Sequence, residues 1–255
     1  MLIDTHCHLF LDDFVDDISS VLTNAENAGV KKVILPNIDC SSIKQMFDFK
    51  QKYSDFAYPT LGVHPSSINE NYKKELAECF SQSFDNIVAI GEIGIDLYWD
   101  KTFQKEQEEA FSFQLDIADE KKLPIIIHSR SSMNEIMQIL KKRKFQNLRG
   151  VFHCFPGSYE QAKEVVDMGF YLGIGGVVTF KNSGLQKVVE QIPLENLVLE
   201  TDAPYLTPVP FRGTRNEPAY VKIIAEKIAE IKNLNFDIVA SQTTKNAEKL
   251  FSINA

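Results

Sequence analysis

The residues Asp4-Thr5-His6-Cys7-His8 stand almost at the start of the chain. In an extended segment side chains alternate between faces, so Asp4, His6 and His8 would share one side while Thr5 and Cys7 take the other. Two adjacent imidazoles repel as cations, but as neutral bases they suit a divalent metal ion. They read as half of a metal site. The remaining histidines, His64, His128 and His153, each terminate or directly follow a short apolar run, and the chain has no histidine elsewhere. Two carboxylates share this address. Glu92 follows Ile87–Gly91 and is flanked by Gly91 and Gly94, where backbone must approach closely, and Asp202 follows the run that ends at Thr201. His6, His8, Glu92, His128, His153 and Asp202 together exceed what one tetrahedral ion needs, whereas two ions sharing a bridging carboxylate would use them all.

The elements that must position these donors follow a regular alternation. Candidate strands are Leu2–His6, Lys31–Pro36, Phe56–Val63, Ile87–Gly91, Leu123–His128, Arg149–His153, Phe170–Ile174 and Asn196–Thr201, with a helix-compatible segment between each pair. Phe111, Leu115 and Ala118, and later Val221, Ile224, Ala225 and Ile228, have the spacing of buried helix faces. Eight strands alternating with helices predict parallel pairing and closure into an α/β fold, the (β/α)8 TIM barrel, with a doubly wound open sheet as the alternative. In a barrel the C-terminal strand ends form one face, the face where ligands and catalysis collect. An extra C-terminal helix is expected from Asn235, its cap, to Phe251, covering the barrel from outside.

Length and composition agree with this frame. The 255 residues suit one barrel domain spanning 1–255, and no Pro/Gly/Ser-rich linker or repeat divides them. With 27 basic and 35 acidic residues the net charge is −8, so a nucleic-acid partner would have to be gripped locally rather than by a general field. The four cysteines show no C-x-x-C spacing and read as free, small core residues. No basic leader precedes the first strand, and the longest apolar run, Phe170 to Phe180, is too short and glycine-rich for a bilayer. These features predict a cytoplasmic protein without membrane association, a monomer or weak oligomer. The basic run Lys141-Lys142-Arg143-Lys144 reads as an exposed helix end.

The stretches Asp4–His8, Gly62-Val63-His64-Pro65, Gly91-Glu92-Ile93-Gly94-Ile95-Asp96, Ile127-His128-Ser129-Arg130, Phe152-His153-Cys154-Phe155 and Glu200-Thr201-Asp202-Ala203-Pro204-Tyr205-Leu206 resemble, in order, the motifs of the TatD family of metal-dependent deoxyribonucleases, within the amidohydrolase superfamily. The resemblance implies that His6, His8, Glu92 and Asp202 hold one metal ion, that Glu92, His128 and His153 hold a second, and that His64 contacts substrate. It implies Glu92 as the bridge, where related barrels often use a carboxylated lysine; no lysine ends a candidate strand here. Phe155-Pro156-Gly157 stands where the family often has Phe-Ser-Gly. The two ions would be magnesium, manganese or zinc: histidine donors favour zinc, manganese or cobalt, while the family's activity is usually described with magnesium.

Loops beside the site offer substrate contacts. Tyr98 and Trp99 could stack on a base or plug the core. The Gly173–Gly176 segment could aim backbone N–H groups at a ligand or form a tight turn. Arg130, Arg212 and Arg215 could form a basic rim for phosphate or remain solvated. With the resemblance, the expected activity is hydrolysis of DNA, from single-stranded ends, by a water shared between two ions. Asp202 would orient or deprotonate that water, Glu92 would bridge, and His64 would protonate or hydrogen-bond the leaving group. The competing reading is cleavage of an amide or ester by the same site.

Overall fold

The computed structural model describes residues 1–143 and 145–253. Its strands are β1 (Leu2–Asp4), β2 (Val30–Leu35), β3 (Ala57–Pro59), β4 (Ile90–Asp96), β5 (Ile125–Arg130), β6 (Gly150–Phe152), β7 (Tyr171–Ile174) and β8 (Leu197–Leu199). Every pairing is parallel and sequential, β1 through β3 and β4 through β8. Parallel bridges Leu61–Ile90 and Cys7–Ala203 join the two runs. Beside them, Gly91 N–H donates to Leu61 O (2.9 Å) and Asp202 N–H to His6 O (2.8 Å), which closes the cylinder. The expected TIM barrel is therefore present, and the open-sheet alternative is not.

Helices α1 (Ile18–Asn27), α2 (Ile43–Lys52), α3 (Tyr72–Cys79), α4 (Gln104–Lys121), α5 (Met133–Lys142), α6 (Tyr159–Asp167), α7 (Leu185–Gln191) and α8 (Val221–Lys232) follow the strands in turn. Phe111, Leu115 and Ala118 of α4, and Val221, Ile224, Ala225 and Ile228 of α8, are buried on the faces that their spacing marks out. Lys141 and Lys142 end α5 exposed, Arg143 turns to Asp116, and Lys144 lies outside the described residues. Among the described residues no helix is long and apolar enough to cross a membrane.

The strands' period of two sorts the interior. Ile3, Ile34, Ala89, Ile126, Val151 and Val198 form their own buried cluster, separate from the larger one shared with the helices. Two residues beyond Ile126, Val151 and Val198, on the same inward face, stand His128, His153 and Glu200. The apolar layer is thus the floor on which the site rests.

Two expectations need correction. The strand bearing Glu92 does not end at Gly91: β4 continues to Asp96, because its pairing with β5 runs from Ile93–Ile127 to Asp96–Arg130. Gly94 permits this, since its φ is +151° and a Cβ there would lie 2.0 Å from the His128 carbonyl oxygen. The last helix, α9 (Phe236–Phe251), does start at an Asn235 cap that accepts from Asp237 N–H (3.0 Å). It does not cover the barrel from outside, however. Its Ala247, Leu250 and Phe251, with Ile253, join the interior cluster. Asn246 donates to the carbonyls of Leu194 (2.9 Å) and Leu197 (2.7 Å), and Thr244 to that of Met1 (3.1 Å). These partners start β1 and β8, so α9 stoppers the N-terminal end, where the apolar layer would otherwise meet water.

Phe251→Ala opens that stopper. The expected cost is about 3–5 kcal/mol, the usual range for emptying a buried aromatic site, read as a lowered urea midpoint with an unchanged slope. A loss under about 1 kcal/mol would show that α9 is a peripheral addition.

Candidate metal centre

At the C-terminal end of the barrel the chain buries one carboxylate among all five of its histidines. The two oxygens of Glu92 divide them. Oε2 lies 3.0 Å from His6 Nε2 and 3.9 Å from His8 Nε2. Oε1 lies 2.8 Å from His128 Nδ1, 3.5 Å from His64 Nε2 and 3.9 Å from His153 Nε2. Asp202 closes the ring: its Oδ1 is 3.6 Å from His6 Nε2 and 3.7 Å from the Nε2 atoms of His8 and His153.

These spacings can be tested against a cation. Four donors placed about 2.1 Å from a tetrahedral ion stand about 3.4 Å apart, which the distances bracket. His6 and His8 Nε2 are 3.2 Å apart, and the His6 and His153 rings stack at 3.4 Å. The Nδ1 atoms of His6 and His8 are buried without partners. The Nε2 atoms of both rings instead converge on the carboxylate oxygens, the arrangement of donors that a shared cation would occupy. The donor sets His6–His8–Glu92, His6–His153–Asp202 and His64–Glu92–His128 are each compact enough for one ion. The structure thus gathers all the expected donors at one place, but it groups His153 with His6 and Asp202 rather than with Glu92 and His128 as the resemblance implies, and it puts His64 beside Glu92 and His128 instead.

Electrostatics follow from burial and mutual contact. Burial alone would raise the Glu92 pKa, but His6, His64, His153 and His128 hold it well below the usual range. Burial, reinforced by His6, pulls His8 down to about 3, so it is a neutral base. Burial opposes charge on His128 too, yet hydrogen bonds to Asp96 and Glu92 lift it to about 9. Burial also opposes charge on His153, but the acidic groups around it, Cys154, Glu200, Asp202 and Glu92, outweigh that and raise it. Asp202 is raised, chiefly by burial. At His64 burial dominates and lowers the pKa. Ser66 N–H donates to its Nδ1 (3.1 Å), so the ring proton sits on Nε2, toward Glu92.

Three acids stand behind the donors; sequence reasoning singled out neither Asp96 nor Glu200 for a role, and it placed Asp4 on the wrong side. Asp96 Oδ2 accepts from His128 Nε2 (3.0 Å), which leaves Nδ1 aimed at Glu92. Its Oδ1 accepts from Tyr98 N–H (3.0 Å), so one carboxylate orients an imidazole and anchors the next loop. Glu200 lies 3.0 Å from His153 Nδ1 and accepts from Cys154 N–H. Asp4 does not join the histidines as alternation suggested. It accepts from the N–H groups of His6 (3.2 Å) and Thr201 (2.9 Å) and stitches β1 to β8, because β1 ends at Asp4 and strict alternation stops there. Asp96 and Glu200 both lie inside the motifs that flagged Glu92 and Asp202; an even spacing from the donor, four residues for Asp96 and two for Glu200, was the available signal.

Over the metal centre opens a cleft of about 1250 Å³ lined by His8, His64, Glu92, Asp96, His128, His153 and Asp202 and, higher up, by Trp99, Arg130 and Arg212. Arg215 is not on its wall: bidentate bonds to Asp17 (2.9 and 2.6 Å) take up its charge and pin its loop to the start of α1. Tyr98 stands behind Arg130, ring to guanidinium 4.0 Å, and only Trp99, 81 % exposed, reaches the cleft. The Gly173–Gly176 segment answers to close approach: a Cβ on Gly173 would sit 2.3 Å from the Glu200 carboxylate, and one on Gly176 2.2 Å from the Leu206 carbonyl oxygen.

A family model described as TatD related DNase matches residues 3–252. The chain is 43% identical over 256 residues to the uncharacterized metal-dependent hydrolase YabD of Bacillus subtilis (strain 168), covering 100% of both chains. It is 34% identical over 258 residues to the uncharacterized metal-dependent hydrolase YcfH of Escherichia coli (strain K12), covering 100% of this chain and 97% of the other. The crystal structure of YjjV, a TatD homologue from Escherichia coli K12, superposes with a TM-score of 0.91 at 30% identity, covering 99% of this chain and 98% of that one.

Asp96→Asn keeps the shape behind His128 and removes the charge. Outer partners of this kind are worth about 10–100-fold in metal affinity, so calorimetric titration with manganese should show a loss of that size. Unchanged affinity in the folded variant would mean that His128 needs no such partner.

Proposed function

This chain is a metal-dependent hydrolase of the TatD family, and from that premise we propose that it cuts phosphodiester bonds of DNA with two divalent ions, working inward from single-stranded ends. The observation that carries the reading is the division of the histidines by Glu92: His6 and His8 face one oxygen, His128, His64 and His153 the other. A carboxylate so placed could be shared by two cations, and this supports the reading. His6, His8, Glu92 and Asp202 would hold one ion and Glu92, His128 and His153 the other. Bound there, the ions would lower the pKa of a shared water and neutralise charge developing on the phosphoryl oxygens.

The protein's own groups do the rest. Asp202 takes the proton of the attacking water. His64, with its proton on Nε2, hydrogen-bonds the departing oxygen. Arg130 and Arg212 on the walls receive phosphate, and Trp99 offers a face for an unpaired base. The site lies at the bottom of a cup, which a flexible strand end enters more easily than a stiff duplex. The net charge of −8 leaves long DNA without general attraction, so the cup itself must do the gripping. The chain acts as one domain, in the cytoplasm, as a monomer or weak oligomer, with magnesium, manganese or zinc in the site.

Glu92→Gln is expected to bind at most one ion per chain by elemental analysis and to lose about a hundredfold or more of its activity, with its melting curve little changed. Full activity in the folded variant would remove the bridge. Linear single-stranded DNA should be digested faster than duplex, and a closed single-stranded circle should survive. Cutting of the circle would overturn end dependence, and turnover of an amide or ester with every DNA left intact would move the enzyme to the other hydrolytic class.

A further inference from the structure

The chain has five arginines, and their partners separate them. Arg143 is held by Asp116, Arg149 by the carbonyl of Lys122 (2.9 Å) and Arg215 by Asp17 (2.6 Å). Arg130 and Arg212 make no side-chain hydrogen bond or ion pair among the described residues, although Arg130 stands near enough to Asp96 to help lower its pKa. Both line the cleft, and both lie on aromatic rings: Arg130 at 4.0 Å from Tyr98 and 5.7 Å from Trp99, Arg212 at 4.2 Å from Phe180. Ring contact steadies a guanidinium while leaving its N–H fork free, the state suited to phosphate. Lys181, beside Phe180, also lines the cleft and makes no hydrogen bond or ion pair among the described residues. In a protein with 35 acidic residues, cations gathered at one cavity without hydrogen bond or ion pair call for an anionic ligand.

The cations stand on two walls. Arg130 ends β5, with the Tyr98–Trp99 loop anchored behind it by Asp96. Arg212 and Lys181 come from the segments after β8 and β7, which Val209 N–H joins by donating to Thr179 Oγ1 (2.9 Å). β8 lies three strands round the barrel from β5, so the metal centre sits between the two cationic walls. Resting on the nuclease reading above, we propose that the cleft grips phosphates on both sides of the bond it cuts, and that the enzyme therefore prefers a strand end that carries a terminal phosphate. One wall holds that terminal group, and the other holds the first phosphate beyond the scissile one.

The test uses short single strands bearing a 5′-phosphate, a 3′-phosphate or hydroxyls only, and twins with one neutral methylphosphonate at the position next beyond the scissile bond. Cleavage and fluorescence-anisotropy binding are measured with magnesium for the wild type, Arg130→Gln and the double variant Lys181→Gln/Arg212→Gln, with melting curves matched. A terminal phosphate at one end should improve kcat/KM about tenfold, the weight of a charge-assisted hydrogen bond. That gain should vanish in only one of the two variants, and the methylphosphonate penalty in only the other. Each lost cation should also flatten the slope of log affinity against log salt by about 0.7. Cleavage indifferent to terminal phosphate, or a gain surviving in both variants, overturns the two-walled grip alone. Strands bound with the expected pattern but never cut overturn the nuclease reading and keep the grip. Strands neither bound nor cut overturn both.

Discussion

The arrangement depends on one buried carboxylate. An isolated anion in the position of Glu92 would be expelled or neutralised, since desolvation of a charge without partners is severe. Five imidazoles converge on it instead, and they in turn are crowded so closely that they cannot all be protonated. The site is therefore a balance between groups that tolerate one another only when positive charge is shared among them. A divalent ion held there would supply that charge without asking any ring to carry a proton.

Holding donors in such a balance requires a rigid frame, and the barrel divides the labour by depth. The apolar layer around Ile126, Val151 and Val198 sets the strands, and the next inward positions place His128, His153 and Glu200. Closing the lower end with Leu250, Phe251 and Ile253 keeps that layer dry, so stability is concentrated at one end and chemistry at the other. Asp96 and Asp4 then do orienting work from behind, Asp96 on an imidazole and Asp4 on the seam between the first and last strands. That seam matters because the ligands arrive from both chain ends: His6 and Asp202 share a backbone hydrogen bond of 2.8 Å.

Charge is organised on the same plan. The protein carries a net charge of −8, and several of its cations are absorbed in ion pairs such as Arg143–Asp116 and Arg215–Asp17. Arg215 and Arg212 show how little sequence distance separates the two uses. One fixes the loop to the barrel, and the other leaves its guanidinium on Phe180 at the cleft. Groups lining the cleft, Arg130, Lys181 and Arg212 among them, act on a ligand at closer range than the net charge does.

Much of this was legible in the chain itself. The alternation of short β-branched runs with helical spacing specifies a parallel barrel, and histidine is rare enough that its placement after those runs marks the functional face. The same spacing could not show that β4 runs on to Asp96, since glycines at 91 and 94 read as a strand end until the pairing with β5 carries the backbone past them. Periodicity buried one face of α9 correctly but could not say against what, because an apolar stripe has no preference between a barrel's side and its open end. The partners of Arg130, Arg212 and Arg215, and the roles of Asp96 and Glu200, were likewise decided only in three dimensions. Residue type states which interactions a side chain is able to make; which one it makes depends on neighbours brought near from distant parts of the chain, and those only the folded backbone supplies.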